Sequence, residues 1–197
     1  GVRTALYNYI FAKQHNGTFI LRIEDTDQLR YVEGAEEYIV NSLKWCGIEI
    51  DEGFSVGGDL GPYKQSERKE IYQEYASFLI QHDKAYYAFD TPEEIEQERL
   101  KAEKNGTTFT YNQEMRMKMK NSLTLPDNEV QKLIQENTPF VIRFKTPENE
   151  IVKIDDIIRG TIEFKTNTLD DKVLFKSDGL PTYHLANIVD DHLMQIT

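Results

Sequence analysis

Hydrophobic and polar positions along the chain follow two periods, and each period predicts its own kind of element. Apolar side chains three and four positions apart predict helices, whereas short apolar runs between turn residues predict strands. The predicted helices cover residues 2–14, 33–45, 67–82, 91–103, 113–122, 127–137 and 183–190. The predicted strands cover residues 18–23, 48–50, 85–89, 140–145, 151–154, 160–164 and 173–176. Helix, tight turn and strand at the start of the chain indicate an α/β fold with a parallel sheet.

The pattern changes after about residue 84. Residues 84–172 combine polar helices with strands that follow one another directly, as antiparallel strands do. We therefore predict that 1–83 is the first part of an α/β domain, 84–172 an inserted subdomain and 173–197 the return into the first domain. Thr91 and Glu94 form a predicted capping box at the start of one inserted helix, with Pro92 at its first position.

Composition limits the classes of protein to which the chain can belong. Its 197 residues carry a formal net charge of −11, which argues against DNA coating but leaves room for RNA at a local basic strip. The single cysteine, Cys46, excludes an internal disulfide, and its position on the apolar side of a helix predicts a core residue. A reducing, cytoplasmic location is expected. No apolar run approaches the ~18 residues of a membrane span, and no secretory signal is seen.

The predicted strand 18–23 runs directly into three carboxylates, Glu24, Asp25 and Asp27. Buried carboxylates are costly when unpaired, and ligands of open α/β sheets bind beyond the carboxyl ends of strands, so this cluster is expected to face a cleft. An acidic, solvated turn is the alternative. As a site, the cluster could bind Mg²⁺, act as a general acid–base pair or hold a cationic group. The spacing does not decide among these roles.

A second group of polar side chains lies at 183–192. Tyr183 and Asn187 are four positions apart and share a face of the predicted helix, where a phenol and an amide can orient a polar ligand. His184 and the acidic and histidine residues at 190–192 suggest a metal site. However, His184 lacks the i,i+4 relation to Asp190 or His192 that helical ligand pairs use, so ordinary polar roles are favoured.

The one local basic excess lies in the predicted insertion, and it consists of Arg99, Lys101, Lys104, Arg116, Lys118 and Lys120. Glutamates are interspersed among these residues, so a solvated helix face is the simpler interpretation. Contact with an RNA backbone is the functional one. Neither a Gly-x-Ser-x-Gly motif nor a cysteine–histidine pair indicates a nucleophile, so covalent catalysis is not expected.

Four segments resemble the bacterial-type glutamyl-tRNA synthetases, a family of class I aminoacyl-tRNA synthetases. In family order they are 1–9 (GVRTALYNY), 22–27 (RIEDTD), 61–68 (GPYKQSER) and 180–192 (LPTYHLANIVDDH). The resemblance implies a Rossmann-type catalytic domain with a parallel sheet, interrupted by an α+β insertion that binds the tRNA acceptor stem. It also implies ATP-dependent activation of L-glutamate, with Mg²⁺, and transfer of glutamate to the terminal adenosine of tRNA. In this family the first step requires bound tRNA.

Carried over position by position, the resemblance assigns roles to individual residues. Glu24 matches the residue that holds the α-ammonium of glutamate, and Tyr183 and Asn187 match glutamate-binding positions. Asp25 is expected to be structural. The positions near the substrate or the tRNA acceptor end are Asp27, Arg30 and His184, and the candidate tRNA contacts are Arg99, Lys101, Arg116, Lys118 and Lys120. No side chain is assigned as nucleophile, acid or base, because such enzymes work mainly by positioning and charge stabilisation.

The chain also departs from the family pattern. The HIGH-type ATP signature and a substrate-binding arginine are expected before Gly1, and a second arginine, the KMSKS-type loop and the anticodon-binding domains after Thr197. We therefore expect a catalytic-core fragment that is inactive alone, taken from a cytoplasmic monomer. No zinc is expected, because the family's optional cysteines are missing from 86–89. A glutamyl transferase for a modified tRNA base, which lacks a long loop such as 51–62, and a non-catalytic RNA-binding fragment are the alternatives.

Overall fold

The computed structural model describes residues 1–27 and 32–197, so the prediction for Arg30 lies outside the described residues. The helices are α1 (Val2–Gln14), α2 (Ala35–Trp45), α3 (Lys69–Gln81), α4 (Pro92–Lys104), α5 (Gln113–Arg116), α6 (Asp127–Gln135) and α7 (Tyr183–Leu193). The strands are β1 (Ile20–Leu21), β2 (Glu52–Gly53), β3 (Ala85–Ala88), β4 (Val141–Phe144), β5 (Ile151–Asp156), β6 (Gly160–Lys165) and β7 (Val173–Phe175). No helix in these described ranges is long and apolar enough to cross a membrane.

The chain forms two compact units. The first comprises Gly1–Ile71 and Ala186–Thr197, and the second comprises Tyr72–Leu185. The predicted insertion, residues 84–172, lies within the second unit, and its boundaries stay a prediction. β7, which sequence patterns assigned to the returning segment, pairs with β4 of the second unit.

The first unit packs α1 and α2 against a short parallel sheet. Phe19, Leu43 and Ile48 form its buried cluster, and the ring of Tyr9 meets that of Phe19 edge-on at 5.6 Å. α1 ends just before Asn16, which adopts the left-handed conformation with φ +55°. The prediction that Cys46 belongs to the core is wrong: it follows the last turn of α2 and is exposed.

β1 and β2 pair in parallel, with Leu21 opposite Gly53. The sequence predicts the second strand at 48–50, but β2 lies at Glu52–Gly53. The apolar character of 48–50 reflects packing of Ile48 in the buried cluster and not strand pairing. Only glycine fits at position 53, because a Cβ there would lie 2.5 Å from the carbonyl oxygen of Leu21 and φ is +147°. The close approach of the two backbones therefore sets the register.

The second unit is built on an antiparallel sheet in the order β3-β4-β7. Its buried cluster contains Tyr86, Ala88, Tyr111 and Met119. α4 begins with the capping box that the sequence predicts, since Thr91 and Glu94 each accept from the other's backbone N–H, at 3.2 and 2.8 Å. β5 and β6 form a hairpin whose opposed pairs Val152–Phe164 and Ile154–Ile162 give it one apolar face.

The predicted helix over 113–122 is wrong beyond Arg116. The buried Asn121 side chain donates to the carbonyls of Arg116 at 2.6 Å and Met119 at 3.1 Å. The N–H of Lys120 donates to Asp90 Oδ1 at 2.7 Å. These side-chain bonds take the groups that a continuing helix would use, so the chain turns at 117–122.

Candidate functional site

The segment after β1 carries a polar face on an otherwise buried strand. Because side chains alternate along an extended chain, Arg22 and Glu24 lie on the face opposite the buried Ile23. The backbone of this segment is held along one side by residues 63–65. The N–H of Ile23 donates to the Tyr63 carbonyl at 2.8 Å, and the Ile23 carbonyl accepts from the N–H of Gln65 at 3.0 Å.

Arg22 is the hub of this face. Its Nη1 donates to Asp191 Oδ1 at 2.9 Å, and its Nη2 lies 3.2 Å from both Glu24 Oε1 and Asn187 Oδ1. Its Nε lies 3.6 Å from Asp190 Oδ2. Burial disfavours the charge on Arg22, but these carboxylates outweigh it and raise its pKa above the ordinary value. Two predicted glutamate-binding residues, Glu24 and Asn187, are thus joined by a residue that the sequence analysis missed.

Asp190 holds the buried side of the hub. It is fully buried, and its Oδ1 accepts from Arg68 Nε and its Oδ2 from Gln65 Nε2, both at 2.8 Å. Arg68 also donates through Nη1 to the carbonyl of Pro62 at 2.9 Å. These bonds explain why Gln65 and Arg68 of the 61–68 segment are 1% and 2% exposed. Over the ranges that the structure describes, no three His, Cys, Asp or Glu residues are grouped to hold a metal.

The Asp25 carboxylate accepts hydrogen bonds from Ser66. Its Oδ1 accepts from the Ser66 N–H at 2.8 Å and its Oδ2 from the Ser66 hydroxyl at 2.6 Å. Lys64 lies 4.0 Å from the same carboxylate and 2.7 Å from Glu36. The bond to Glu36 is the main cause of the raised pKa of Lys64. These contacts support the structural role expected for Asp25.

The glycine-rich segment 54–62, called the excursion below, leaves the row of backbone hydrogen bonds to residues 21–23 after Phe54 and returns to it at Tyr63. Leu21 accepts from the N–H of Phe54 at 3.1 Å, and Ile23 resumes the row at Tyr63. Inside the excursion, Glu52 Oε1 accepts from the N–H of Leu60 at 2.9 Å and from the Tyr63 hydroxyl. Burial, followed by this bond to Glu52, raises the pKa of Tyr63. The ends of the excursion are therefore held while 55–59 are exposed.

The remaining predicted substrate residues lie at exposed positions. Tyr183 and His184 begin α7, and their rings meet edge-on at 6.1 Å, with Tyr183 58% exposed. Asp27 is exposed at the end of the described acidic cluster. Tyr183 and His184 belong to the second unit, whereas Arg22 belongs to the first. Their substrate roles stay predictions.

The predicted basic strip divides into one buried residue and several exposed ones. Arg116 is 1% exposed, so the expectation that it contacts tRNA is wrong: its guanidinium lies 3.4 Å from Asp171 and donates to the Thr146 carbonyl at 3.3 Å. Three of the exposed bases bond a glutamate three or four positions before them in the chain. The pairs are Arg99–Glu96 at 2.6 Å, Lys101–Glu98 at 2.5 Å and Lys118–Glu114 at 2.5 Å. Lys120 is exposed.

The whole chain matches one family model, "tRNA synthetases class I (E and Q), catalytic domain", over residues 1–197. It is 61% identical over 197 residues to the glutamate–tRNA ligase of Christiangramia forsetii, covering 100% of this chain and 39% of that protein. It is 59% identical over 195 residues to the ligase of Flavobacterium psychrophilum, covering 99% of this chain and again 39% of the relative. The chain thus spans about two fifths of the length of these relatives.

Solved structures give the same result. The crystal structure of a glutamate tRNA ligase from Elizabethkingia meningosepticum, in complex with its amino acid, is 57% identical with a TM-score of 0.95. The match covers 100% of this chain and 39% of that one. The glutamate-tRNA synthetase of Elizabethkingia anophelis is also 57% identical, with a TM-score of 0.95 and coverage of 100% and 40%. The predicted resemblance and the α/β class I synthetase fold are both confirmed.

Proposed function

The chain belongs to the family of class I tRNA synthetase (E and Q) catalytic domains, and we propose that it is part of a glutamate–tRNA ligase. The parent protein activates L-glutamate with ATP and transfers it to the terminal adenosine of its tRNA. The observation that carries this proposal is the polar face beyond β1, where Glu24 and Asn187 meet at Arg22 in a chain that resembles a ligase solved with its amino acid.

In this proposal Glu24 holds the α-ammonium of glutamate. A charge-assisted hydrogen bond to a carboxylate is short and strong, and Glu24 has a side chain that is 45% exposed and so accessible to a ligand. Asn187 supplies a neutral amide beside it. Tyr183 is a further glutamate-binding residue, and Asp27 and His184 serve the substrate or the tRNA acceptor end.

ATP is a substrate of the proposed reaction and Mg²⁺ accompanies it. A magnesium ion in such reactions is usually held by substrate phosphates with one or two carboxylates. None of the described residues is assigned to it, and no zinc is proposed. Because no described side chain is a candidate nucleophile, the contribution of this chain is to bind, orient and electrostatically stabilise the reacting groups.

The tRNA is the macromolecular partner, and the second unit carries the candidate contacts. They are Arg99, Lys101, Lys118 and Lys120, with Arg116 removed by its burial. A phosphate would have to replace the helical glutamate at the first three of these residues. We further propose a monomeric parent protein that works in the cytoplasm.

The test is aminoacylation by the full-length parent protein. Labelled glutamate should become attached to tRNA only when ATP is present, and nuclease digestion should release the label on the terminal adenosine. Glutamine at the same concentration serves as the matched control amino acid. Label recovered on an internal nucleotide would favour the base-modifying alternative, and tRNA binding without any transfer would favour a non-catalytic RNA-binding protein.

A further inference from the structure

Arg22 is placed to orient both of the side chains that we assign to glutamate binding. One atom, Nη2, lies 3.2 Å from Glu24 Oε1 and 3.2 Å from Asn187 Oδ1. The arginine side chain is only 13% exposed, whereas that of Glu24 is 45% exposed. The guanidinium is therefore less accessible than Glu24, and it binds both Glu24 and the half-buried Asn187.

The contact with Arg22 determines which end of the Asn187 amide faces a ligand. Arginine has five donors and no acceptor, so the Asn187 oxygen, and not its nitrogen, must face the guanidinium. The Nδ2 group with its two donors then points away from Arg22. Asn187 is thereby fixed as a donor, which suits a carboxylate oxygen of an amino acid.

The same contact leaves Glu24 able to accept a second cation. A carboxylate offers about four lone-pair positions, so an oxygen that bonds Arg22 does not exhaust its capacity. Arg22, Arg68, Glu24, Asp190 and Asp191 together carry one net negative charge, from three carboxylates and two guanidinium groups. Asp190 is fully buried, and the bond from Arg22 to Asp191 is shorter than that to Glu24, 2.9 against 3.2 Å. The side chain of Glu24 is also the more exposed, 45% against 39% for Asp191, so this charge is most accessible at Glu24.

The hub is itself rigidly held, as an orienting group must be. Asp191 fixes Nη1 at 2.9 Å, and Asp190 lies 3.6 Å from Nε. Asp190 is in turn fixed by Arg68 and Gln65, each at 2.8 Å. A lysine at position 22 would keep the charge. However, a single ammonium cannot reproduce the planar guanidinium, which donates to Asp191, Glu24 and Asn187 together.

We propose that Arg22 is a positioning residue that sets the orientation of Glu24 and Asn187 for binding of the amino acid. This inference rests on the proposed function, because it requires glutamate to bind at Glu24 and Asn187. It assigns Arg22 no contact with the reacting atoms.

The experiment measures steady-state kinetics and thermal unfolding of the full-length parent protein and its Arg22→Lys variant. Loss of oriented hydrogen bonds to a charged group should raise the glutamate KM about tenfold or more, with kcat and the ATP KM changed by less than about threefold. Arg68→Lys is the matched control, since it alters a buried arginine that contacts Asp190 but neither Glu24 nor Asn187. It should lower Tm with a smaller effect on the glutamate KM.

A double-mutant cycle separates orientation from general stability. If Arg22 acts through Asn187, Arg22→Lys should have a much smaller effect on the glutamate KM in an Asn187→Ala background. Should Arg22→Lys fail to fold, Asp191→Asn removes the anchor of Arg22 at a partly exposed position. That variant should also raise the glutamate KM, although Asp191 contacts neither Glu24 nor Asn187 in the bonds described.

The outcomes distinguish the inference from the proposed function. A wild-type parent protein without glutamate-dependent activity overturns both. An active wild type overturns the inference alone if Arg22→Lys, or Asp191→Asn where it replaces that variant, leaves the glutamate KM unchanged. Independent effects of Arg22→Lys and Asn187→Ala, or an equal glutamate KM change in Arg68→Lys, also overturn it.

Discussion

Two fully buried aspartates, one in each unit, pair with arginines that differ in the accessibility of their other contacts. Asp171 in the second unit is bound by Arg116, which is itself 1% exposed. Asp190 in the first unit faces Arg22, whose other contacts include Glu24 with a side chain 45% exposed. We call the first network closed because its arginine is buried and its contact with the exposed Glu148 is a longer ion pair of 3.6 Å. We call the second open because Arg22 hydrogen-bonds the exposed Glu24 at 3.2 Å and the partly exposed Asp191 at 2.9 Å. Hydrogen bonds from a partly buried arginine to accessible carboxylates, and not a buried charge by itself, therefore mark the candidate site.

Several further hydrogen bonds hold Asp171 in the closed network. Tyr86 donates its hydroxyl to Asp171 Oδ2 at 2.7 Å, and the Thr146 N–H donates to Oδ1 at 3.1 Å. Arg143 donates to the backbone carbonyl of Asp171 at 2.9 Å and lies 3.7 Å from the centre of the Tyr111 ring. Arg116 Nη1 and Arg143 Nε make no hydrogen bond among the described residues, but the bonds named here all lie within the second unit. Disruption of this buried network should therefore affect folding and not substrate binding.

The largest expected effect is that of Asp171→Asn. The variant leaves the buried Arg116 with only its longer, 3.6 Å contact to the exposed Glu148 among the described carboxylates, and removal of one partner of a buried ion pair typically costs about 3–5 kcal/mol in the free energy of unfolding. Urea or thermal unfolding of the parent protein measures it. The control is Asp170→Asn, at a side chain that is 35% exposed and pairs with Lys172. Equal unfolding free energies for the two variants would contradict the prediction, as would a raised glutamate KM in an otherwise stable Asp171→Asn protein.

Glu24→Gln should give the reverse pattern in the open network. The variant removes a charge that we assign to the ammonium of glutamate, so glutamate binding should weaken by about 1.5–3 kcal/mol, the range for hydrogen bonds to charged groups. Stability should change little, because the Glu24 side chain is almost half exposed. Glutamate KM and Tm are the two measurements. An unchanged glutamate KM would remove Glu24 from the site.

Tyr86→Phe tests the closed network by pH. Burial, and then the hydrogen bond to Asp171, raise the pKa of Tyr86 well above its ordinary value of 10.0. An unfolded chain loses this proton from about pH 10 upward whereas the folded chain keeps it, so the stabilisation is complete below pH 10 and declines as the pH rises further. The variant should cost about 1.5 kcal/mol at neutral pH. It should also lose Tm less steeply than wild type between pH 9 and 11, and parallel curves would be the contrary result.

The smallest effect is expected at the surface of the second unit. Lys118→Ala should weaken tRNA binding slightly and reduce the slope of log affinity against log salt by about one, as the loss of one phosphate contact does. Filter binding at several salt concentrations measures the slope. Lys153→Ala is a matched control, since Lys153 also pairs with a glutamate on the surface. An unchanged slope for Lys118→Ala would support the solvated-face interpretation.

Most helices could be predicted because their signals are local. The capping box of α4 depends on Thr91 and Glu94, which are three positions apart, and the structure confirms it. The helix over 113–122 failed because Asn121 and Asp90 capture backbone groups that sequence periodicity cannot reveal. The predicted position of the second strand, 48–50, was wrong for a similar reason, since the place of β2 depends on the close approach of Gly53 to Leu21 across the sheet.

The candidate site was only half predictable. The resemblance points to Glu24 and Asn187, but Arg22 lies inside the apolar run 18–23, where the pattern predicts only a strand residue. One signal could have found it: a charged residue within that run, two positions before Glu24, must share its face. Nothing local indicates that Asp190 and Asp191, 168 and 169 positions further on, would surround it. The burial of Arg116 could not be predicted either, because its partner Asp171 is also distant in the sequence.

The excursion at 54–62 offers a place where the protein can be altered at low cost. Its two ends are tied to the same strand through Leu21 and Ile23, and its inner end is secured by Glu52. Loop-closure entropy grows only with the logarithm of length, so each doubling of such a segment costs about 0.6 kcal/mol. A Cβ at Gly58 would clash with the side chain of Glu52, and Gly57 bonds Gly53, so the exposed positions 55 and 56 are the ones suited to insertion of a fluorophore-labelling tag or an affinity peptide.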